Sequence, residues 1–384
     1  MRFHRLLFTA IFLALLSPVL PAADPDVYWT YFGTYTGGKS KGIYCSKFDQ
    51  KTGTLTKPEL AAEVTNPSFL WPHPTGKFLY AVGEVENLGK NKEGGVYAYS
   101  LDPKTGTLKK LNATTSGGAD PCHISVDPAG THAVVANYTG GSCAFFALKP
   151  DGEIGDRLSF HQHAGTTGPD KARQEAAHAH CGNYNPNGRY VYVCDLGLDR
   201  VKVYPTGSAH GGVSTQIHAD IVMPPGTGPR HLAMTPKADF LFVCGELNSS
   251  VNVVKMEPGG ATGTVIETLS TLPGGKPVKG NSTAEIALHP NGKFLYVSNR
   301  GHNTIATFLW KDGFLSAVGE AGDAIKTPRC FAVTPNGKWM LVASQDGDNV
   351  RVFEIDETTG VPKSTNTVVE VGKPVCVTFV PVAK

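Results

Sequence analysis

Short apolar runs of five to seven residues, alternating with a period of two, follow one another along the chain, and turns containing Gly or Pro separate them. Helical periodicity is almost absent, so the pattern predicts an all-β chain. The runs are themselves ordered. A small residue or proline, a short strand, a second proline seven positions on, a turn usually holding Gly, and a second apolar strand recur seven times. The instances open at Pro67, Pro121, Ala179, Pro229, Thr283, Pro328 and Pro374. Their second prolines, Pro74, Pro128, Pro186, Pro236, Pro290, Pro335 and Pro381, lie 45 to 58 residues apart. Further runs such as "GGVYAYSLD" and "NTIATFLW" lie between instances, which makes about four antiparallel strands per unit. Four strands repeated radially predict a seven-bladed β-propeller. The seventh instance has one strand before Lys384, so "DVYWTYFGTY" and "GIYCSKFDQKTGTL" are expected to complete it. The last blade is then closed by N-terminal strands, which removes exposed sheet edges.

The opening stretch departs from this pattern. "MRFHRLLFTAIFLALLSPVLPAAD" has a basic start at Arg2, His4 and Arg5 and an apolar run from Leu6 to about Leu16. Pro18 and Pro21 break the run before the ~20 residues that a spanning helix needs. The expected organisation is a secretory signal peptide over 1–23 and one propeller domain over 24–384. Export, periplasmic or extracellular, follows, with no membrane association after cleavage. Lys+Arg total 35 against Asp+Glu 33, too balanced and dispersed for a nucleic-acid groove, so a small-molecule partner is favoured. A monomer is expected. Export permits disulfides, but of the eight cysteines Cys194 and Cys244 lie inside apolar strands and no CxxC occurs. Free buried thiols are therefore expected. The polar stretch 161–180, "HQHAGTTGPDKARQEAAHAH", fits the repeat poorly and reads as a long insertion before the third unit, of the kind that often carries function.

In a propeller the first strand of each blade lines the axis, so equivalent positions of successive units become neighbours. Six residues before each second proline stand Ser68, Cys122, His180, Arg230, Ala284, Arg329 and Val375. Ten residues after it stand Glu84, Tyr138, Leu196, Glu246, Arg300 and Gln345. His180, Arg230, Glu246 and Arg300 thus fall at two equivalent places in the third to fifth units and are expected to converge. Guanidiniums suit capture of a carboxylate or phosphate, while an imidazole and a carboxylate suit proton transfer near neutrality. His178, His231, Asp195 and Arg329 lie close enough to these places to be candidate substrate-binding residues. Two HxH pairs, His161 with His163 and His178 with His180, could bind a metal if a third ligand converged, but no acidic cluster accompanies them. His123 and His231 are read as packing beside the channel, and His73 and His289 as turn residues.

The segments "GPRH", "CGELNSSVNV", "HCGNYNPNGRYVYVCDLGLDRVKVY", "SNRGHNTI" and "YFGTYTGGKSKGIY" resemble the lactonase family of seven-bladed propellers across about residues 28 to 382. That family contains bacterial 6-phosphogluconolactonases and the fungal 3-carboxy-cis,cis-muconate lactonizing enzyme. The resemblance implies a histidine, two arginines and a glutamate at the active site, carried here by His180, Arg230, Arg300 and Glu246. It implies no cofactor and no metal, and a small anionic lactone as substrate, opened or formed. Export departs from the cytosolic lactonases and argues against 6-phosphogluconolactone itself. The alternative is an exported, non-catalytic propeller that serves as a binding platform.

Overall fold

The structure is a computed structural model that describes residues 25–88, 92–207, 212–213, 219–322 and 324–383. The segment 1–23, read as an export signal, lies outside the described residues. The chain forms seven antiparallel sheets, each a blade. Blade one holds Leu70–Pro72, Phe78–Gly83, Gly95–Leu101 and Leu108–Thr115. Blades two to six open at Pro121–Val126, Ala179–Tyr184, Pro229–Met234, Ser282–Leu288 and Pro328–Val333. These opening strands touch in order around a ring, and Pro374–Pro381 touches Leu70–Pro72 to complete it. In the seventh blade Val27–Thr34 lies between Pro374–Pro381 and Gly42–Asp49, pairing Tyr28 with Pro381 and Phe32 with Val377. The N-terminal strand therefore closes the ring, as the incomplete seventh repeat predicts.

Middle strands are apolar throughout because blades stack face to face and bury both of their sides. In His132–Asn137, Ala133 and Val135 pack with Tyr80 and Val82 of blade one, whereas Val134 and Ala136 pack with Val191 and Val193 of blade three. The alternation of a strand thus feeds two separate cores. Each fully buried aliphatic or aromatic side chain contributes roughly 1.5–3 kcal/mol. Outermost strands keep only half of this pattern: Gly263–Ser270 alternates half-buried and exposed positions and carries Glu267. A polar rim of this kind discourages edge-to-edge pairing.

Hydrogen bonds between blades fix the stacking. Tyr80, Tyr192 and Tyr296 occupy the same place in alternate units, and their hydroxyls donate to Gly152, Gly260 and Gly360 carbonyls of the next blade at 3.1, 2.8 and 2.9 Å. His73 and His289 bond Gly130 and Gly337 carbonyls at 2.9 and 2.8 Å, so these turn residues also tie neighbouring blades. In the turns themselves Gly188, Gly292 and Gly337 take φ of 69°, 72° and 73°. The fourth unit places Ala238 there at 51°, a left-handed conformation that favours glycine. All eight cysteines are free thiols, and only Cys45 is not buried.

Candidate active site

The convergence of the repeat positions has a local cause in strand register. Pairing skips Cys122 between Pro121 and His123, His180 between Ala179 and Cys181, and Arg329 between Pro328 and Cys330. In blade four the irregularity falls between Pro229 and Leu232, at Arg230 and His231. The inner strands of blades two to seven therefore carry a bulge near their start, and a bulge re-aims the extra side chain away from the pleat. The position six before the second proline is this bulge residue. Its counterpart, ten after the proline, sits where the second strand ends: Glu246 follows Phe240–Gly245, and its N–H donates to the Gly228 carbonyl at 2.9 Å.

These two sets of side chains enclose a cavity of about 390 Å³ at one mouth of the ring. His180, Glu246, Arg300 and Arg329 stand in its wall. Glu84, Cys122, Tyr138, Arg173 and Ser282 complete it. Arg230 does not reach the wall. It is buried behind Glu246, with Nε 3.0 Å from Glu246 Oε2 and Nη1 donating to the Ala284 carbonyl at 2.6 Å. The Nε–H is not aimed at that oxygen, so the contact is an ion pair rather than a hydrogen bond. Arg230 is thus a positioning residue for Glu246 rather than a ligand for substrate, which corrects the expectation that it captures an anion.

Glu246 is the hub. Arg173 Nη2 donates to its Oε1 at 2.8 Å, Arg300 Nη2 lies 3.2 Å from the same oxygen, and His180 Nε2 lies 3.9 Å from Oε2. Burial alone would raise the carboxyl pKa, but the Arg300, Arg230 and Arg173 guanidiniums outweigh it and hold it at about 2. Glu246 is therefore a fixed anion at neutrality. Arg300 Nη2 also donates to the Thr283 carbonyl at 2.8 Å. Burial, partly offset by Glu246 and reinforced by Arg230 and Arg329, lowers the Arg300 pKa to about 10, which leaves it charged. His180 is moved the other way from a protonated base. Burial first, then the fields of Arg230, His231 and Arg329, push its pKa well below the usual histidine range, so the imidazole is neutral. Four guanidiniums, Arg173, Arg230, Arg300 and Arg329, stand against two carboxylates, Glu84 and Glu246, which leaves an excess of two positive charges in and directly behind the wall.

Three other candidates lie elsewhere. His178 stacks on Tyr138 and spends both ring nitrogens, with Nδ1 3.1 Å from the Tyr138 carbonyl and Nε2 3.0 Å from Glu175 Oε1. Asp195 is fully buried, 2.6 Å from His163 Nδ1, and accepts the His178 and Leu198 backbone N–H groups. His231 lies deeper in the channel, 2.9 Å from Glu285 Oε1 and edge-on to His123. None of the three lines the cavity, which corrects their reading as substrate-binding residues. The HxH pairs separate: His178 and His180 face different partners, and His161 packs on Phe145 and Tyr204 while His163 bonds Asp195. Among the described residues no group of three or more His, Cys, Asp or Glu side chains could hold a metal ion.

Sequence reasoning passed over Arg173, Tyr138, Glu84, Cys122 and Ser282 as site residues. Tyr138, Glu84 and Cys122 occupy the repeat positions that identify the others, so position was the usable signal. Arg173 comes from the insertion and has no counterpart in the repeat. A hydroxyl at 3.0 Å on Tyr138 and the Glu246 carboxylate hold its guanidinium.

A seven-bladed ring with a guanidinium-clamped carboxylate beside a neutral imidazole at its mouth is an enzyme-like arrangement, and the family follows from comparison. The model of the family described as "Lactonase, 7-bladed beta-propeller" matches residues 29–379, and the chain belongs to that family. A 6-phosphogluconolactonase of Bacillus subtilis is 33% identical over 354 residues, covering 92% of this chain and 98% of its own. One of Formosa agariphila is 31% identical, covering 86% and 93%. The solved structure of a periplasmic gluconolactonase of Pseudomonas aeruginosa superposes with a TM-score of 0.86 at 31% identity, covering 93% of this chain and all of the other.

Proposed function

We propose that this chain hydrolyses a lactone of a small anionic sugar acid at the Glu246 cavity, and that it does so outside the cytoplasm. The observation that carries the reading is a buried, neutral His180 placed 3.9 Å from an ionised Glu246, with Arg300 in the same wall. His180 Nε2 accepts a proton from water as the oxygen attacks the ring carbonyl. Arg300 Nη1, which bonds none of the described residues, donates to the oxyanion that forms. The tetrahedral intermediate then collapses, the ring C–O bond breaks, and the imidazolium returns its proton to the departing alkoxide, giving the hydroxy acid. Glu246 is too acidic to donate a proton in this scheme. It orients Arg300 and offsets the charge on His180 while that charge lasts. Names of the curated relatives support hydrolysis of a sugar lactone. Export is supported by the basic and apolar opening of the sequence and by the periplasmic origin stated for one structural relative.

The test is turnover of a panel of neutral, carboxylated and phosphorylated sugar lactones by purified mature protein between pH 5 and 9, with and without EDTA. Turnover by the wild type is expected. It should fall by about 10²–10⁴-fold in His180→Ala and about 10²–10³-fold in Arg300→Gln, and be unchanged by EDTA. Because His180 is held neutral, kcat/KM should stay level from pH 8 to 6.5 and decline only below. No turnover of any lactone would instead favour the binding-platform reading.

A further inference from the structure

The cations around the cavity are unequally engaged. Arg173 and Arg300 each contact Glu246 and a second protein oxygen, and Arg230 is locked between Glu246 and the Ala284 carbonyl. Arg329 makes no hydrogen bond and no ion pair with any described residue; its guanidinium carbon lies over the Tyr35 ring, 5.3 Å from the centroid, and the residue lines the cavity. Tyr35 is itself fixed, since its hydroxyl donates to both oxygens of Glu84 at 2.9 and 3.0 Å. These residues come from blades six, seven and one, whereas His180, Glu246 and Arg300 come from blades three, four and five, with blade six next to blade five. The cavity arginines are therefore unlike: Arg173 and Arg300 are tied to Glu246, with Arg300 Nη1 left for the reacting group, whereas Arg329 has no oxygen partner among the described residues.

We propose that Arg329, placed over the Tyr35 ring, binds the remote anionic group of the substrate, a carboxylate or a phosphate, and so selects acidic sugar lactones over neutral ones. This rests on the lactonase reading of the cavity. The half-buried Arg329 guanidinium turns paired N–H groups toward the cavity, and such a pair matches a carboxylate or phosphate edge. Arg173 and Arg300 are each tied to Glu246, so turning either guanidinium wholly onto an anion would break that ion network. Anchoring at Arg329 and attack at His180 then fix the substrate at both ends, so the same contact that selects charge also sets the orientation of the ring.

The experiment measures binding of the ring-opened acids gluconate, glucarate and gluconate 6-phosphate by calorimetry to wild type, Arg329→Gln and Arg329→Lys, with thermal melts to confirm folding. Arg329→Gln should weaken glucarate and gluconate 6-phosphate by roughly tenfold to a hundredfold and gluconate by less than about threefold. Arg329→Lys should recover part of the loss, and the stronger affected ligand separates carboxylate from phosphate preference. An equal loss for all three acids, no loss, or no binding of any acid by the wild type overturns the assignment. Binding needs no turnover. A protein silent on every lactone that still shows the selective loss refutes the reaction and keeps the anchor, whereas turnover without selective loss refutes the anchor alone.

Discussion

Glu246 shows how one side chain can serve both stability and chemistry. Its pKa falls from the ordinary 4.5 to about 2. A depressed folded value stabilises the protein above the unfolded pKa, and that stability is lost as pH falls from about 4.5 through about 2. The shift corresponds to on the order of 3 kcal/mol at neutral pH. Glu246→Gln leaves three guanidiniums without their shared anion and is expected to cost about 3–5 kcal/mol at pH 7. The gap in melting temperature between the two proteins should then narrow as pH drops from 5 to 2. A gap independent of pH would show that Glu246 acts through packing rather than charge. Four of the residues identified from repeat position, His180, Glu246, Arg300 and Arg329, stand in the cavity wall because a bulge or a strand end aims them there. Asp195 is one position off, at the place Gly245 holds in the next blade, and one step along a strand turns a side chain to the other face. The same step separates Arg230 from His231.

Among the elements, the insertion is what a repeat-based reading could locate but not interpret. It lies folded over blade three: Gly168 N–H donates to the Gly197 carbonyl at 2.9 Å, and the fully buried Gln174 donates to the Leu196 carbonyl at 2.8 Å. These contacts fix the strap whose Arg173 reaches Glu246. Nothing in its composition announces them, because they depend on backbone groups of a distant turn. The closest approach is at Gly197, where a Cβ would lie 1.7 Å from the Ala176 carbonyl oxygen. Backbone cannot give way as a flexible side chain does, so Gly197→Ala must lift the strap. We expect a loss of about 1–3 kcal/mol in urea unfolding together with reduced kcat/KM, although residue 197 lies outside the cavity wall. Gly207→Ala is the control, since a Cβ there meets nothing within 4 Å. If both variants match the wild type in stability and kinetics, the strap is incidental to the site.

At the scale of the whole molecule, the site depends on a ring that no single blade can hold. The cavity residues come from blades one to six, so their relative placement is set by how all seven blades close. Closure rests on Pro374–Pro381, which pairs with Val27–Thr34 and supplies Cys376 and Val380 to the core shared with blade one and Val377 to the core shared with blade six. Removing residues 374–384 would leave Val27–Thr34 with a bare apolar edge and open both cores at once, though every cavity residue would remain in the chain. Loss of several buried apolar side chains at roughly 1.5–3 kcal/mol each approaches the whole stability of a typical domain, about 5–15 kcal/mol. The truncated protein should therefore lose its cooperative melting transition, aggregate through the exposed edge and show no turnover. Val377→Asp, which buries one unpaired charge at the same seam, should give a folded but strongly destabilised protein with reduced activity. Melting curves and lactone turnover on the same samples decide the matter: a truncated chain that still melts cooperatively and retains full activity would mean that blades one to six hold the cavity without closure.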